Sequence, residues 1–373
     1  MLLLDSSHPL ASGRTTSSAL IRAYQGERND HTPVWFMRQA GRSLPEYRQL
    51  RVGTRMLQAC LDPVMVSEIT LQPVRRHHVD AAIFFSDIVV PLLLAGVEVE
   101  IVPGKGPVFA SPVRSRADID RLTQRDVRSL PDEVFSSIEE GVRRIVAETA
   151  TPLIGFAGAP FTLAAYLVEG GPSRDHLRAR TLMHADPEGW ERLLNWVADI
   201  SGAFLRAQVT AGASAVQLFD SWAGWLSLGD YERFVVPASA RALAHVRDIT
   251  YTAPAPTGGT TEQRRVPIVH FGVGTGDLLV PMYKAGADVI GVDYRLPLTE
   301  ASRRLGGQVP LQGNIDPALL SAGWNVLEAH VRDVMEQGLS APAHVLNLGH
   351  GVPPETDPDV LTRLVEFAHE WRP

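Results

Sequence analysis

VPIVHFGVGTGDLLVPMYKAGADVIGVDYRLPLTEASRRLGGQVPLQGN (residues 266–314) holds three apolar, mostly β-branched runs, at 267–271, 288–292 and 308–312, spaced about 20 residues apart. A strand with one solvated face alternates apolar with polar residues. Runs that stay largely apolar suit strands covered by helices on both sides, the condition of a parallel sheet. A repeat of about 20 residues leaves room for one helix and two short turns, the minimal strand-plus-helix unit.

The same kind of run recurs outward from this stretch, at 34–37, 82–86, 153–157, 214–219 and 344–348, which makes eight candidate strands. Helices announce their starts with Asp62-Pro63, Asp186-Pro187, Asp316-Pro317 and Asp357-Pro358, where Asp caps orphan amides and Pro presets φ in the first turn. Gly212, Gly286 and Gly338 suit helix ends. Eight strands alternating with helices predict an α/β fold, a single (β/α)8 TIM barrel with its active site at the C-terminal ends of the strands. A doubly wound sheet is the alternative. Residues 1–19 are expected to form a flexible leader and 20–373 one domain. The segment 252–265 (TAPAPTGGTTEQRR) precedes a strand, so it is expected as a tolerated insertion on the N-terminal face, away from the chemistry.

The 373 residues are 45% apolar and 21% charged, ordinary for a chain that buries a large core. Thirty-five basic against 42 acidic side chains give a net charge of −7, so no overall charge favours nucleic acid or an anionic membrane, and an anionic ligand must be met by local charge. Cys60 is the single cysteine, which excludes an internal disulfide and any site needing two thiolates, and fits a reducing, cytoplasmic setting. The longest apolar stretch, 88–97, is broken by Pro91 and falls short of the roughly 20 residues of a spanning helix, so no membrane association is expected.

In a barrel, the residues just after each strand carry the information. Those positions give Arg38 and Arg42, Asp87, the 158–171 segment with Tyr166, Asp220 and Ser221, the glycines of GVGTG (272–276), Asp293, Asn314 and His350. Arg38, Arg42, Arg48, Arg51 and Arg55 form a basic segment interrupted only by Glu46. The last three have helical spacing and read as a solvated face. Arg38 and Arg42 flank Gly41 directly after an apolar run and read as an anion site, because a guanidinium holds carboxylates bidentately. Asp87 ends FFSD, where a carboxylate against a hydrophobic strand needs hydrogen bonds or a cation, in a ligand or in a structural salt bridge. In GVGTG the third glycine comes one position too early for a dinucleotide fingerprint. Ser221 lies in FDSW and not in a G-x-S-x-G elbow, which disfavours a serine hydrolase. His77 and His78 are adjacent and point apart on a helix, so they are read as structural or exposed, and no metal site is expected.

At PVWFMRQAGRSLPEYR (33–48) the sequence resembles the first signature of the uroporphyrinogen decarboxylase family, and GFAGAPFTLAAYLVEGG (155–171) resembles the second. FFSD (84–87), LFDSWAG (218–224) and NLGHGVPPETDPD (347–359) follow the family in the same order, so the resemblance spans nearly the whole chain from about residue 20. It implies a carboxy-lyase of porphyrin and haem biosynthesis, a cofactor-independent, cytoplasmic homodimer. Such an enzyme converts uroporphyrinogen III to coproporphyrinogen III by removing four acetate carboxylates as CO2. Carried over by motif, the substrate-binding stretch falls on Arg38, Gln39, Ala40, Gly41 and Arg42, the central carboxylate on Asp87, and further contacts on Tyr166, Ser221 and His350. Ser43 stands where the family usually has Tyr, Trp225 where a smaller residue is expected, and the 252–265 segment is longer than usual.

These residue types suit the implied chemistry. A flexible macrocycle with eight carboxylates and four pyrrole N–H donors needs cations at its rim and an acceptor at its centre, which Arg38, Arg42 and Asp87 can supply. Protonating a pyrrole carbon beside an acetate arm creates an electron sink within the substrate, and an ionised Asp87 is then a counter-charge for the cation. Arg38 is the family-based proton donor, although a guanidinium is ordinarily a poor acid. Tyr166, His350, water and a carboxylic acid of the substrate stay open. Two other functions share parts of this pattern. Zinc-dependent methyl transfer lacks its second cysteine, and a non-enzymatic tetrapyrrole carrier would bind the same ligand without releasing CO2.

Overall fold

The computed structural model describes residues 1–127, 130–254 and 261–372. Seven parallel strands follow one another in chain order around a curled sheet: β1 (Ala82–Ile83), β2 (Leu153–Gly158), β3 (Ala215–Asp220), β4 (Ile268–Gly272), β5 (Val289–Gly291), β6 (Leu311–Gln312) and β7 (His344–Val345). The longest ladders join β3 to its neighbours, from Ile154↔Ala215 to Gly158↔Phe219 on one side and from Val216↔Ile268 to Asp220↔Gly272 on the other. All of β2 and β4 is buried, in keeping with their unalternating sequences.

The eighth expected strand, 34–37, is corrected to a single bridge. Val34 pairs with Leu346 beside β7, and its carbonyl accepts from the Asp80 amide next to β1 at 2.8 Å, so the chain does close the barrel. The Trp35 amide still reaches the Leu346 carbonyl at 3.3 Å, and beyond it side-chain carboxamides replace the ladder. The Phe36 amide donates to Gln39 Oε1 at 2.9 Å and the Met37 amide to Asn347 Oδ1 at 3.0 Å. The run is buried and reads as a strand, but its Phe36 and Met37 amides are satisfied by side chains and not by a neighbouring strand.

The Asp-Pro starts all cap helical turns. Asp62 accepts from the Val64 and Met65 amides, Asp186 from Gly189, Asp316 from Ala318 and Asp357 from Asp359. The longest helix, Pro187–Ala211, ends at Gly212 with φ 137°, a conformation that favours glycine. A buried polar chain joins Tyr24 and Trp35 to β6 and β3. The Tyr24 hydroxyl (2.6 Å) and Trp35 Nε1–H (3.2 Å) donate to Gln312 Oε1, whose own amide donates to Gln217 Oε1 at 2.9 Å. These groups are buried but paired, which removes the main cost of placing them there.

The first 19 residues, expected to be a flexible leader, pack against the body instead. Leu2–Leu3 pair in parallel with Ile249–Thr250, Leu10 is fully buried, and the His8 ring bridges the Leu10 amide and the Val209 carbonyl. Short apolar pieces without a period carry no helix or strand signature, yet they cover the surface. The 252–265 segment lies in part outside the described residues. Its described flanks pair antiparallel, Ile249–Pro254 with Thr261–Arg265, and with Leu2–Leu3 make a three-stranded sheet ahead of β4. Among the described residues no helix is long and apolar enough to cross a membrane.

Candidate active site

At Arg38 the backbone leaves the barrel wall with φ 64°, the left-handed region that non-glycine residues seldom adopt. Its side chain lies across Gly351, where a Cβ would come within 2.4 Å of Arg38 Cδ. Gly351, next to His350 in the loop after β7, therefore makes room for the Arg38 stem. The Arg38 guanidinium has no hydrogen bond or ion pair with the described residues. Arg42, three residues past Gln39, is exposed and likewise has no ion-pair partner among them.

Asp87 follows the buried Phe84 and Phe85, which lie just past β1 where the Phe85 amide donates to Thr70 Oγ1 at 3.0 Å. The half-buried carboxylate accepts the Val89 amide at 3.1 Å. Burial pushes its pKa above the usual carboxylate value, while the Val89 N–H and the charge of Arg38 draw it down. Arg38 is near enough to be felt but not within the 4.0 Å of an ion pair. The acid is thus not locked to a permanent cation.

Tyr166 sits on helix Pro160–Glu169, which ends at Gly170 with φ 82°. Its ring stacks on Trp222 at 3.8 Å and 27°, and His176 stacks on Trp222 at 4.1 Å and 21°. Burial and the nearby Asp87 push the Tyr166 phenol up to about 12, against a lowering by Arg38, so it stays protonated at ordinary pH. Partial desolvation and the charges of Arg38 and Arg295 push the His350 imidazole below its ordinary value and favour the neutral ring. Arg38, Asp87, Tyr166 and His350 are therefore close enough to perturb one another electrostatically, although their loops follow different strands.

Other residues from the sequence reading do structural work. Asp220 is fully buried and occupied, accepting from Thr162 Oγ1 (2.9 Å) and the Tyr231 hydroxyl (3.3 Å), with His270 Nε2 at 3.8 Å. Thr162 Oγ1 also accepts the Trp222 amide at 3.2 Å, which sets the loop carrying the half-buried Ser221. Asp293 is bound by the Gly274 amide (2.6 Å) and by Arg295. The Asn314 amide group donates to the Asp293 and Leu296 carbonyls at 2.8 and 2.6 Å. The GVGTG loop passes so near the loop after β3 that a Cβ on Gly224 would lie 2.3 Å from the Val273 carbonyl oxygen. Close loop packing accounts for small residues there.

In the basic segment, Arg51 bonds the Thr54 carbonyl and Arg48 the Arg42 carbonyl, while the exposed Arg55 faces Glu100 at 3.8 Å. Leu44 N donates to the Gly41 carbonyl, and a Cβ on Gly41 would meet the Arg38 carbonyl at 2.8 Å, so Ala40 and Gly41 form a tight turn that aims Arg38 and Arg42. Ser43 is buried, and Trp225 is 49% exposed with its edge on His176 at 5.9 Å. His77 is buried against Thr362 at 2.7 Å, and His78 is exposed.

Gln39 differs from its neighbours in being completely buried, with its carboxamide holding the Phe36 amide and donating to the Ala81 carbonyl at 2.9 Å. Its side chain therefore links the closing segment to β1 and is not directed at a ligand. Gln39→Met is expected to leave buried backbone groups unpaired and to cost on the order of 1–3 kcal/mol of folding stability. Urea unfolding, read beside KM of the folded fraction, checks this: stability should fall while KM moves little.

The reading of the sequence missed Trp222, His176 and Arg295. Trp222 was in view within LFDSWAG, and an aromatic residue directly after a strand's terminal acid was the available signal. Among the described residues the site offers guanidinium groups without an ion-pair partner, one carboxylate outside ion-pair distance with a raised pKa, and a stacked aromatic wall. Such a surface accepts a ligand that carries both carboxylates and N–H donors.

A family model described as uroporphyrinogen decarboxylase (URO-D) matches residues 15–371. The uroporphyrinogen decarboxylase of Leifsonia xyli subsp. xyli is 70% identical over 371 residues, 99% of this chain and 98% of that protein. That of an Arthrobacter species is 65% identical over 362 residues, 97% of this chain and 99% of that protein. Among solved structures, a methyltransferase from Methanosarcina mazei superposes with a TM-score of 0.74 at 18% identity, covering 95% of this chain and 98% of its own, a likeness of fold.

Proposed function

The chain belongs to the uroporphyrinogen decarboxylase family, and on that premise we propose that it decarboxylates the four acetate arms of uroporphyrinogen III to methyl groups, giving coproporphyrinogen III, with Asp87 and Arg38 at the centre of the chemistry. The observation that supports the assignment of roles is the convergence of a cation with no partner among the described residues, Arg38, on a carboxylate outside ion-pair distance, Asp87, at the C-terminal mouth of the barrel.

Each step needs a proton and an electron sink. A proton added to the pyrrole carbon beside the acetate arm leaves the ring cationic. The carbon–carboxylate bond then breaks, its electron pair flows into the ring, and CO2 departs. The exocyclic carbon takes a proton and the ring gives one back, so each turnover consumes one proton per CO2. The substrate supplies the electron sink that pyridoxal phosphate or thiamine provides elsewhere, so no cofactor is required.

Asp87 has two tasks. Its carboxylate accepts inward-turned pyrrole N–H groups, which centres the macrocycle, and its negative charge then faces the transient cation in a pocket poor in water. Arg38 is the proposed proton donor and holds a carboxylate arm, while Arg42, exposed at the rim, clamps another. Ala40 and Gly41 contribute the turn that aims both. Tyr166, backed by Trp222, offers a protonated hydroxyl, and Ser221 and His350 offer further polar contacts. A cytoplasmic homodimer is the setting and assembly taken over from the family.

The test is anaerobic incubation of metal-free protein with uroporphyrinogen III, with the hepta- through tetracarboxylate products followed over time. Stepwise accumulation of coproporphyrinogen III is expected. Tight binding without CO2 release would select a carrier instead.

A further inference from the structure

The seam that closes the barrel carries a second polar cluster, on the face opposite Arg38 and Asp87. His31 lies just before the closing segment, Asp80 just before β1, and His369 in the last turn of helix Pro358–Glu370. Asp80 Oδ1 is 3.4 Å from His31 Nε2 and Oδ2 is 2.8 Å from His369 Nε2, while the two imidazoles meet edge to face with centroids 5.0 Å apart. One ligand atom from each of the three residues lies within 4.8 Å of the others, and among the described residues this is the single such group of His, Cys, Asp or Glu.

The geometry points to a divalent transition-metal site of the two-histidine, one-carboxylate kind, taking Zn2+, that staples the C-terminal helix to the barrel seam. Imidazole nitrogen and carboxylate oxygen are the donor set that suits Zn2+, bound at about 2.0–2.2 Å. Drawing three atoms now within 4.8 Å onto one ion calls for side-chain torsions and no change of fold. Access is open. The His31 and His369 side chains are 34% and 32% exposed, and a cavity of about 110 Å³ lined in part by Asp30, Thr32 and Trp371 opens beside His31.

The surroundings also hold the carboxylate in place. Asp80 Oδ2 accepts the Val34 amide at 2.8 Å, so the oxygen beside His369 is oriented by the segment that closes the barrel, as outer contacts orient ligands in known sites. Arg372, the nearby cation, is turned to the carbonyls of His369 and Trp371 at 2.6 and 2.8 Å. The carrying observation is that three segments remote in sequence present their donors to one point where the barrel shuts. An ion there ties them together in the folded chain, and such a site is missing from the unfolded chain.

The chain has 12 histidines, so the test must separate this site from adventitious binding. Titrating the metal-free protein with Zn2+ alone in a calorimeter above neutral pH should show one tight equivalent per chain, with a rise in Tm. His369→Gln and His31→Gln keep a hydrogen-bonding amide but remove a ligand, and each should weaken that equivalent at least about tenfold and cancel the Tm rise. Unchanged affinity in both variants, or no saturable binding by the parent, would overturn the site. X-ray absorption of the Zn2+-loaded parent is independent of how the variants fold. Two imidazoles and a carboxylate around the ion are expected, and fewer than two imidazoles would count against it.

Discussion

Asp87→Asn is expected to fold as the parent does and to lose about 10²–10³-fold in kcat, the loss seen when one preorganised electrostatic partner is removed from an enclosed site. Asparagine nearly matches the shape and keeps an oxygen that can accept the Val89 amide, now 3.1 Å from Oδ1. What it removes is the charge. If that charge stabilises the ring cation of the transition state, kcat falls further than binding does, because the neutral amide can still meet some of the pyrrole N–H groups. The pH dependence supplies a second readout. Burial raises the Asp87 pKa above the ordinary carboxylate value, against the lowering by Val89 and Arg38, and the acid must be ionised to act. The rate of the parent should therefore decline as pH falls through that raised pKa, and the Asn variant should lack this acid limb. Circular dichroism and unfolding of the variant show whether the fold is intact.

Arg38→Ala should lower kcat/KM by about 10²-fold or more, since a charge-assisted hydrogen bond contributes about 1.5–3 kcal/mol and the guanidinium can make two to one carboxylate. The side chain has no compensating role in the fold that would blur the result. It rests on Gly351 and makes no hydrogen bond to the described residues. Arg38→Lys separates its two proposed tasks. Lysine keeps the charge but loses the planar fork, so a pure carboxylate clamp predicts a raised KM with much of kcat retained, whereas a proton donor predicts a changed pH–rate profile as well. An unchanged rate and profile in the Lys variant would remove Arg38 from proton transfer and leave Tyr166, whose phenol is held protonated, among the remaining donors.

Much of the barrel is legible from residues 266–314, because strands buried on both faces keep their apolar character whatever their neighbours are. The 34–37 segment misleads for a physical reason. It is as apolar and buried as a strand, yet the Phe36 and Met37 amides are satisfied by the Gln39 and Asn347 side chains, a substitution that no periodicity reveals. The N-terminal residues mislead the other way, since Leu4 and Leu10 show no period that signals an element and are still buried, while Leu2 and Leu3 pair with Ile249 and Thr250 through the backbone.

At the site, Arg38 and Asp87 stand out because a charge directly after an apolar run is costly without a partner. The same logic makes Asp220 look equally functional. Its partners Thr162 and Tyr231, which consume the carboxylate, lie 58 and 11 residues away and are invisible as partners before folding. The Tyr166–Trp222–His176 stack and the His31–Asp80–His369 cluster are missed for the same cause, because residues apart in sequence meet only through the closure of the barrel.

The most direct measurement is an anaerobic crystal structure with coproporphyrinogen III bound. The expected result is a macrocycle at the C-terminal mouth with its pyrrole nitrogens about 3 Å from the Asp87 carboxylate oxygens and no ion pair between Asp87 and Arg38. A macrocycle bound elsewhere, or an Asp87 turned away from it and paired with a guanidinium, would contradict the assignment of Asp87 as the counter-charge.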